Sequence, residues 1–147
     1  MRCSEVMLSH VFTCRKGEPA RKCAEVMRDE RVGFVPVVDG DGKALGIVTD
    51  RDIALRLVAA GRGPETPVEQ LMSSGLLSCR PDDELSDVEA RMAKDKKSRA
   101  LVLDEEGRCA GVISLSDIAL VDAPDHVGKL LREVTQREVS LVSHAPH

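Results

Sequence analysis

The chain has 147 residues, 42% hydrophobic and 31% charged, with a formal net charge of −4. That length gives a workable core for one ordinary domain, and the acidic balance excludes a general nucleic-acid binder, which carries a basic surplus on at least one face. Phe12 and Phe34 are its only phenylalanines and it has no Trp or Tyr, so it lacks the stacking platform of a single-strand binder.

No apolar run approaches the roughly 18 residues of a membrane span, and the opening Met-Arg-Cys-Ser-Glu-Val lacks the apolar core of a signal peptide. Five cysteines, an odd number with no C-x-x-C pair and no metal-ligand spacing, point to a reduced, cytoplasmic setting. In chain order, the first element is a short strand around Cys14. Pro19 then suits the opening turn of a helix, with Ala20, Cys23, Ala24 and Met27 at i, i+3, i+4 and i+7. The apolar run Phe34 to Val38, the turn Asp39-Gly40-Asp41-Gly42 and the run Ala44 to Val48 predict a hairpin. A long helix follows, closed by Gly61 as C-cap, and the polar stretch from Arg62 to Pro67 is the expected join. A second short strand around Cys79 precedes the acidic helix start Asp82-Asp83-Glu84 and the stripe Leu85, Val88, Met92. Ala100 to Leu103, the turn Asp104 to Gly107 and Cys109 to Ile113 give another hairpin. The helix after it is expected to be cut short by Pro124. Beyond it, Asp125 is placed to cap a tail helix with Val127, Leu130, Leu131 and Val134 on one face, weakened by Gly128.

These elements are one unit written twice. At an offset of 65 residues Met7 falls on Met72, Cys14 on Cys79, Met27 on Met92, Asp39 on Asp104 and Gly46 on Gly111. The run Asp52-Ile53-Ala54-Leu55 falls on Asp117-Ile118-Ala119-Leu120, and the match holds without a gap for nearly fifty positions. A piece of this length buries only about 60% of its unfolded surface, so neither unit is expected to stand alone. The prediction is one α+β domain with two small sheets packed against each other and helices outside.

The segments V-P-V-V-D-G-D-G-K and G-I-V-T-D-R-D-I resemble those of a tandem CBS-domain pair, or Bateman module. The stretch from Gly46 to Ile53 is similar to one in the regulatory domain of inosine-monophosphate dehydrogenase. The resemblance covers roughly residues 4–122. It implies repeats of β-α-β-β-α order at about 4–61 and 68–122 within a pair over 1–123, leaving 124–147 as a helical tail.

The most informative residues follow each hairpin: Thr49-Asp50-Arg51-Asp52, matched by Ser114-Leu115-Ser116-Asp117. A Thr or Ser with an acid three residues on is a helix-capping box, and a helix start also offers unpaired N–H groups to a phosphate. By resemblance, Thr49, Asp52, Ser114 and Asp117 hold the ribose and phosphate of an adenine nucleotide, while Thr13 and Ser78 border the adenine. Arg51 reads either as a surface residue or as a cation placed to meet phosphate, and Arg99 as a second phosphate candidate or part of a solvated charge run with Lys96 and Lys97. Cys14 and Cys79 read as small strand hydrophobes or a redox pair.

Asp39-Gly40-Asp41-Gly42 begins like a calcium loop, but Ala44 stands where that loop requires glycine. His10, His126, His144 and His147 lie outside the duplicated strands. With no nucleophile motif, phosphate-binding loop or metal cluster in sight, no metal and no enzyme activity are expected. The resemblance implies a regulatory sensor needing no cofactor and binding AMP, ADP or ATP in the cleft between the repeats, with S-adenosylmethionine and NAD-like ligands open. Expected partners are a second copy of the chain, with Met27 and Met92 as candidate contacts, and a separate effector enzyme or transporter. No membrane is expected. A ligand-free structural or stress-response dimer is the alternative.

Overall fold

The structure, a computed structural model, describes the backbone of residues 1–143 and the side chains through residue 136. His144 and His147 lie outside the described residues. The elements are β1 (Cys14–Arg15), α1 (Ala20–Glu30), β2 (Phe34–Val38), β3 (Ala44–Thr49), α2 (Asp50–Asp52), β4 (Ser78–Cys79), α3 (Leu85–Asp95), β5 (Arg99–Leu103), β6 (Cys109–Ser114), α4 (Leu115–Ala119) and α5 (Pro124–Ser143). They form two three-stranded sheets, ordered β1-β2-β3 and β4-β5-β6. In the first, β1 runs parallel to β2 and β2 antiparallel to β3. The α+β class and the repeated β-α-β-β-α order are as the sequence predicts.

The chain divides into two compact units. One comprises His10–Leu76 and Leu103–Cys109, and carries the first sheet. Its core holds Cys14, Cys23, Val35, Val37, Val48, Leu57, Val68 and Leu71. The other comprises Met1–Ser9, Leu77–Val102 and the chain from Ala110 onward, with Cys3, Leu85, Val88, Met92, Val102, Ile113 and Ile118 among its core. Full burial of an aliphatic side chain is worth about 1.5–3 kcal/mol, so each cluster is a stabilising centre of its own.

The lead-in to each repeat folds with the other repeat's strands. Leu8 and Val112 exchange backbone hydrogen bonds at 2.9 and 3.0 Å, and Ile47 and Ser73 do the same at 3.0 and 2.9 Å. Leu8 and Ser73 are themselves 65 residues apart, so the same exchange occurs twice. It explains Gly46 and Gly111: a Cβ on Gly46 would stand 2.7 Å from the Ser73 carbonyl oxygen, and one on Gly111 would stand 3.0 Å from that of Leu8. Both positions need a residue without a side chain because another backbone passes over them.

Both hairpin turns are held the same way. Asp39 Oδ1 accepts from the Asp41 and Lys43 amides at 2.8 and 3.0 Å, with Gly42 at φ 84°. Asp104 Oδ1 accepts from the Glu106 and Arg108 amides at 2.9 and 2.8 Å, with Gly107 at φ 80°. The Asp carboxylate is a turn lock.

Several expectations need correction. The helix after β3 is not a plain α-helix: past Asp52 it widens into a π segment, Ile53–Val58. It ends, as predicted, at Gly61 with φ 71°, where the Arg62 amide bonds the Leu57 carbonyl at 2.9 Å. α4 stops before Pro124, which opens α5, and Asp125 sits in the first turn of α5 and does not cap it. On α5, Leu130 and Val134 are buried and Val127 packs on the same core, but Leu131 is 48% exposed. Ala24 on α1 is exposed, whereas its counterpart on α3, Glu89, is buried against α5. Among the described residues the first unit has no helix equivalent to α5 on that face. Met92 is fully buried and so is no contact for a second chain, while Met27 is half-buried against its own core. No helix among the described residues is long and apolar enough to cross a membrane.

Candidate functional site

In each unit the helix-start residues singled out by sequence stand at the entry of the central strand. β1 pairs Cys14 with Val37, and β2 pairs Phe34 with Thr49. The start of β2 and the end of β3 therefore meet at one end, while Cys14 at the start of β1 lies opposite Val37, near the other end of β2. Thr13, just before β1, is exposed, and Thr49 begins the helix at the start of β2. The Asp50 amide donates to the Gly33 carbonyl at 2.9 Å, fastening the helix start to the entry of β2. The second unit repeats this: Ser78 opens β4 opposite Leu101, half-buried Arg99 opens β5, and the Leu115 amide donates to the Ser98 carbonyl at 3.1 Å.

The predicted capping boxes are present in both. Thr49 Oγ1 accepts from the Asp52 amide at 3.1 Å while Asp52 Oδ2 accepts from the Thr49 amide at 2.9 Å. Ser114 Oγ accepts from the Asp117 amide at 3.3 Å, and Asp117 Oδ2 accepts from the Ser114 amide at 2.8 Å. Such a box satisfies orphan donors at a helix start and typically adds about 1 kcal/mol. The two differ in one proton. The Ser114 hydroxyl donates to Asp117 Oδ2 at 2.8 Å, whereas the Thr49 hydroxyl only accepts, from the Asp52 amide. Asp52 retains Oδ1 as an acceptor, with Arg56 Nε 3.7 Å away. A carboxylate with a spare oxygen beside a hydroxyl donor is chemically suited to a sugar diol.

Charge separates the ends more sharply. Arg51 is exposed in the first turn and forms no ion pair among the described residues. Arg56, which sequence reasoning missed, donates to the carbonyls of Leu71 and Met72 at 3.0 and 3.3 Å and faces Asp52. The signal for it was there: Asp52 and Arg56 stand at i and i+4. At the matching places the second unit has Ser116 and Val121.

Cys3, Cys14, Cys23 and Cys79 are buried thiols outside any disulfide, and Cys109 is partly exposed. Cys14 shares a hydrogen bond with Cys23, which pulls the Cys14 thiol below the ordinary value and pushes that of Cys23 well above it. Burial pushes Cys79, beside Cys3, up to about 12. Cys23 and Cys79, reluctant to ionise and buried, behave as small core hydrophobes.

Comparison with known families matches the CBS domain twice, over residues 3–59 and 68–123. The CBS domain-containing protein YhcV of Bacillus subtilis is 32% identical over 136 residues, 92% of this chain and 96% of its own. Among solved structures, CBS domain protein PAE2072 from Pyrobaculum aerophilum complexed with AMP superposes with a TM-score of 0.75 at 22% identity, covering 89% of this chain and 98% of its own. The CBS domain pair of protein MJ0100, in complex with 5′-methylthioadenosine and S-adenosyl-L-methionine, gives 0.73 at 22% identity, covering 82% and 94%. Likeness at those identities establishes the fold. The pair also occurs inside enzymes: a homoserine O-acetyltransferase of Methanohalobium evestigatum is 25% identical over 79% of this chain, which spans 23% of that enzyme.

Proposed function

Since the chain belongs to the CBS-domain family, as its two matched repeats and its YhcV-like length show, we propose that it is a regulatory module binding AMP, ADP or ATP and signalling to a separate enzyme or transporter. The observation that carries this reading is the capping box of hydroxyl and carboxylate repeated at the helix start in both units, with Asp52 Oδ1 left over from the box in the first. Asp52 and Asp117 take the ribose hydroxyls, and hydrogen bonds to charged groups are worth about 1.5–3 kcal/mol each. Arg51 takes the phosphate, with the helix start beside it adding amide donors. Thr13 and Ser78 border the base, and Arg99 is the phosphate partner in the second unit. AMP on one relative and S-adenosyl-L-methionine on another share adenosine, and a ribose-reading carboxylate serves either.

The test is a thermal-shift panel of adenosine ligands on the whole chain. A ligand at about 100 times its Kd adds ~2.7 kcal/mol, a rise of roughly 5–11 °C for a domain of this size. AMP, ADP or ATP should give it, with adenosine weaker. A flat panel supports the alternative, a ligand-free dimer.

We further propose that the functional form is a homodimer. The units leave Leu55 and Val58 exposed on the first terminal helix, and Leu120 and Val121 at the end of α4, with Leu120 85% accessible. Light scattering at tens of micromolar should give twice the chain mass, and Leu120→Glu should lower it. A monomeric parent protein overturns this.

A further inference from the structure

The unit built on the second repeat holds a polar cluster that nucleotide binding does not use. α3 buries Leu85, Val88 and Met92, and on the same face Glu89, the one buried charged side chain among the described residues. The Glu89 side chain is only 6% exposed, and its Oε2 makes no hydrogen bond. Oε2 faces His126 Nε2 at 3.4 Å, beyond a good hydrogen bond. His126 stands in the first turn of α5, and its Nδ1 meets Asp122 Oδ2 from the α4–α5 connection. One ligand atom from each of the three lies within 4.8 Å of the other two. Glu89 and His126 also line an open cleft with Ser86, Ala90 and Lys129, so water has access.

The first repeat lacks this cluster. At the three matching positions the first repeat has Ala24, Leu57 and Gly61, none of which can ligate. An ionised carboxylate placed in a core costs several kcal/mol unless a charge or ion answers it. Imidazole with two carboxylates is a donor set for a first-row transition ion, since calcium and magnesium take oxygen donors alone.

We propose that Glu89, Asp122 and His126 form a binding site for a divalent transition cation of the zinc class, with water completing its shell. Bonds of about 2.0–2.2 Å in a tetrahedral shell set ligand atoms roughly 3.4 Å apart. Closing from 4.8 Å falls to His126, which is 51% exposed, and to Asp122 in its connection, while α3 holds Glu89 fixed. The ion ties α5 to α3 and answers the buried carboxylate.

The experiment uses the full chain, stripped with chelator and titrated with zinc(II) by calorimetry, with cobalt(II) absorption in parallel. The expected result is one ion per chain and at least a tenfold loss of affinity in both Glu89→Gln and His126→Asn, melting curves showing each variant folded. The cobalt spectrum should lack a thiolate charge-transfer band. No uptake, undiminished affinity in Glu89→Gln, or a thiolate band placing the ion on the cysteines would each overturn the site.

Discussion

The two units are built on one plan and differ where the plan leaves room. Both keep the hydroxyl and carboxylate of the capping box, the turn-locking aspartate, and the glycine under the passing backbone. Those groups spend their bonds on the fold itself, so a change at any of them costs structure. The positions around them have diverged. Asp50, Arg51 and Arg56 in the first repeat stand against Leu115, Ser116 and Val121 in the second, and Ala24 against Glu89. The first sheet end is charged and open to solvent chemistry. The second has apolar or neutral groups at its helix start and has gained a polar cluster on α3 under α5. Duplication has preserved the scaffold and divided the chemistry.

The sharpest structural contrast lies in the two close-approach glycines. Gly46→Ala should cost about 1–3 kcal/mol of stability, as an added methyl in a tight site does, and more than Gly111→Ala. A Cβ meets a carbonyl at 2.7 Å in the first case and 3.0 Å in the second. Urea unfolding of both variants measures it, and equal costs would mean the two crossings are equally tight. Arg51→Ala comes next, with about a tenfold loss of AMP affinity, or ~1.4 kcal/mol, and no change for adenosine. Ser116→Ala, its counterpart, should change neither. A matching loss for adenosine would take Arg51 off the phosphate.

The helix ends offer a smaller effect that should be symmetric. Arg31 and Lys96 close α1 and α3 in the left-handed region at φ 56° and 55°. Arg31→Gly and Lys96→Gly should each raise stability by up to about 1 kcal/mol, because glycine adopts that conformation without a Cβ clash. A loss in either would show that its charge on the last carbonyls matters more than its strain. The smallest effect is in Glu18. Burial opposes its ionisation, but the Arg15 amide at 3.1 Å and Lys22 at 3.2 Å outweigh that and hold the carboxyl below its ordinary value of 4.5. Its contribution is therefore present above that value and lost as pH falls through the lowered one. Glu18→Gln should reduce stability slightly at pH 7 and flatten the acid limb of a melting-point profile, and an unchanged acid limb would contradict it.

What the sequence disclosed was whatever repeats at a fixed interval or caps locally. The hairpins, both capping boxes and the closing role of Gly61 were legible because each depends on neighbours a few residues apart. The exchange of lead-in segments was not: a period of 65 residues reveals that Leu8 and Ser73 correspond, but not which strand either one bonds. Helix faces were legible only in part, since Ala24 and Glu89 occupy the same helical position and only the packing of α5 decides which is covered. The Glu89, Asp122 and His126 cluster escaped because its members come from three separate segments, with only the Asp122 to His126 step at helical spacing. The pairing of Thr49 with Asp52 and of Ser114 with Asp117 was legible as local capping spacing, whereas no local spacing relates Thr13, Ser78 or Arg99 to them.

The central claim is that the two ends are unequal sites, the first built for a phosphorylated ligand and the second for a weaker grip. Calorimetry with AMP on the parent chain, Asp52→Ala and Asp117→Ala tests it most directly, with melting curves to confirm that each variant still folds despite its lost cap. The account predicts a clearly larger loss of AMP affinity in Asp52→Ala than in Asp117→Ala. Equal losses in the two folded variants, or a larger loss in Asp117→Ala, would contradict it.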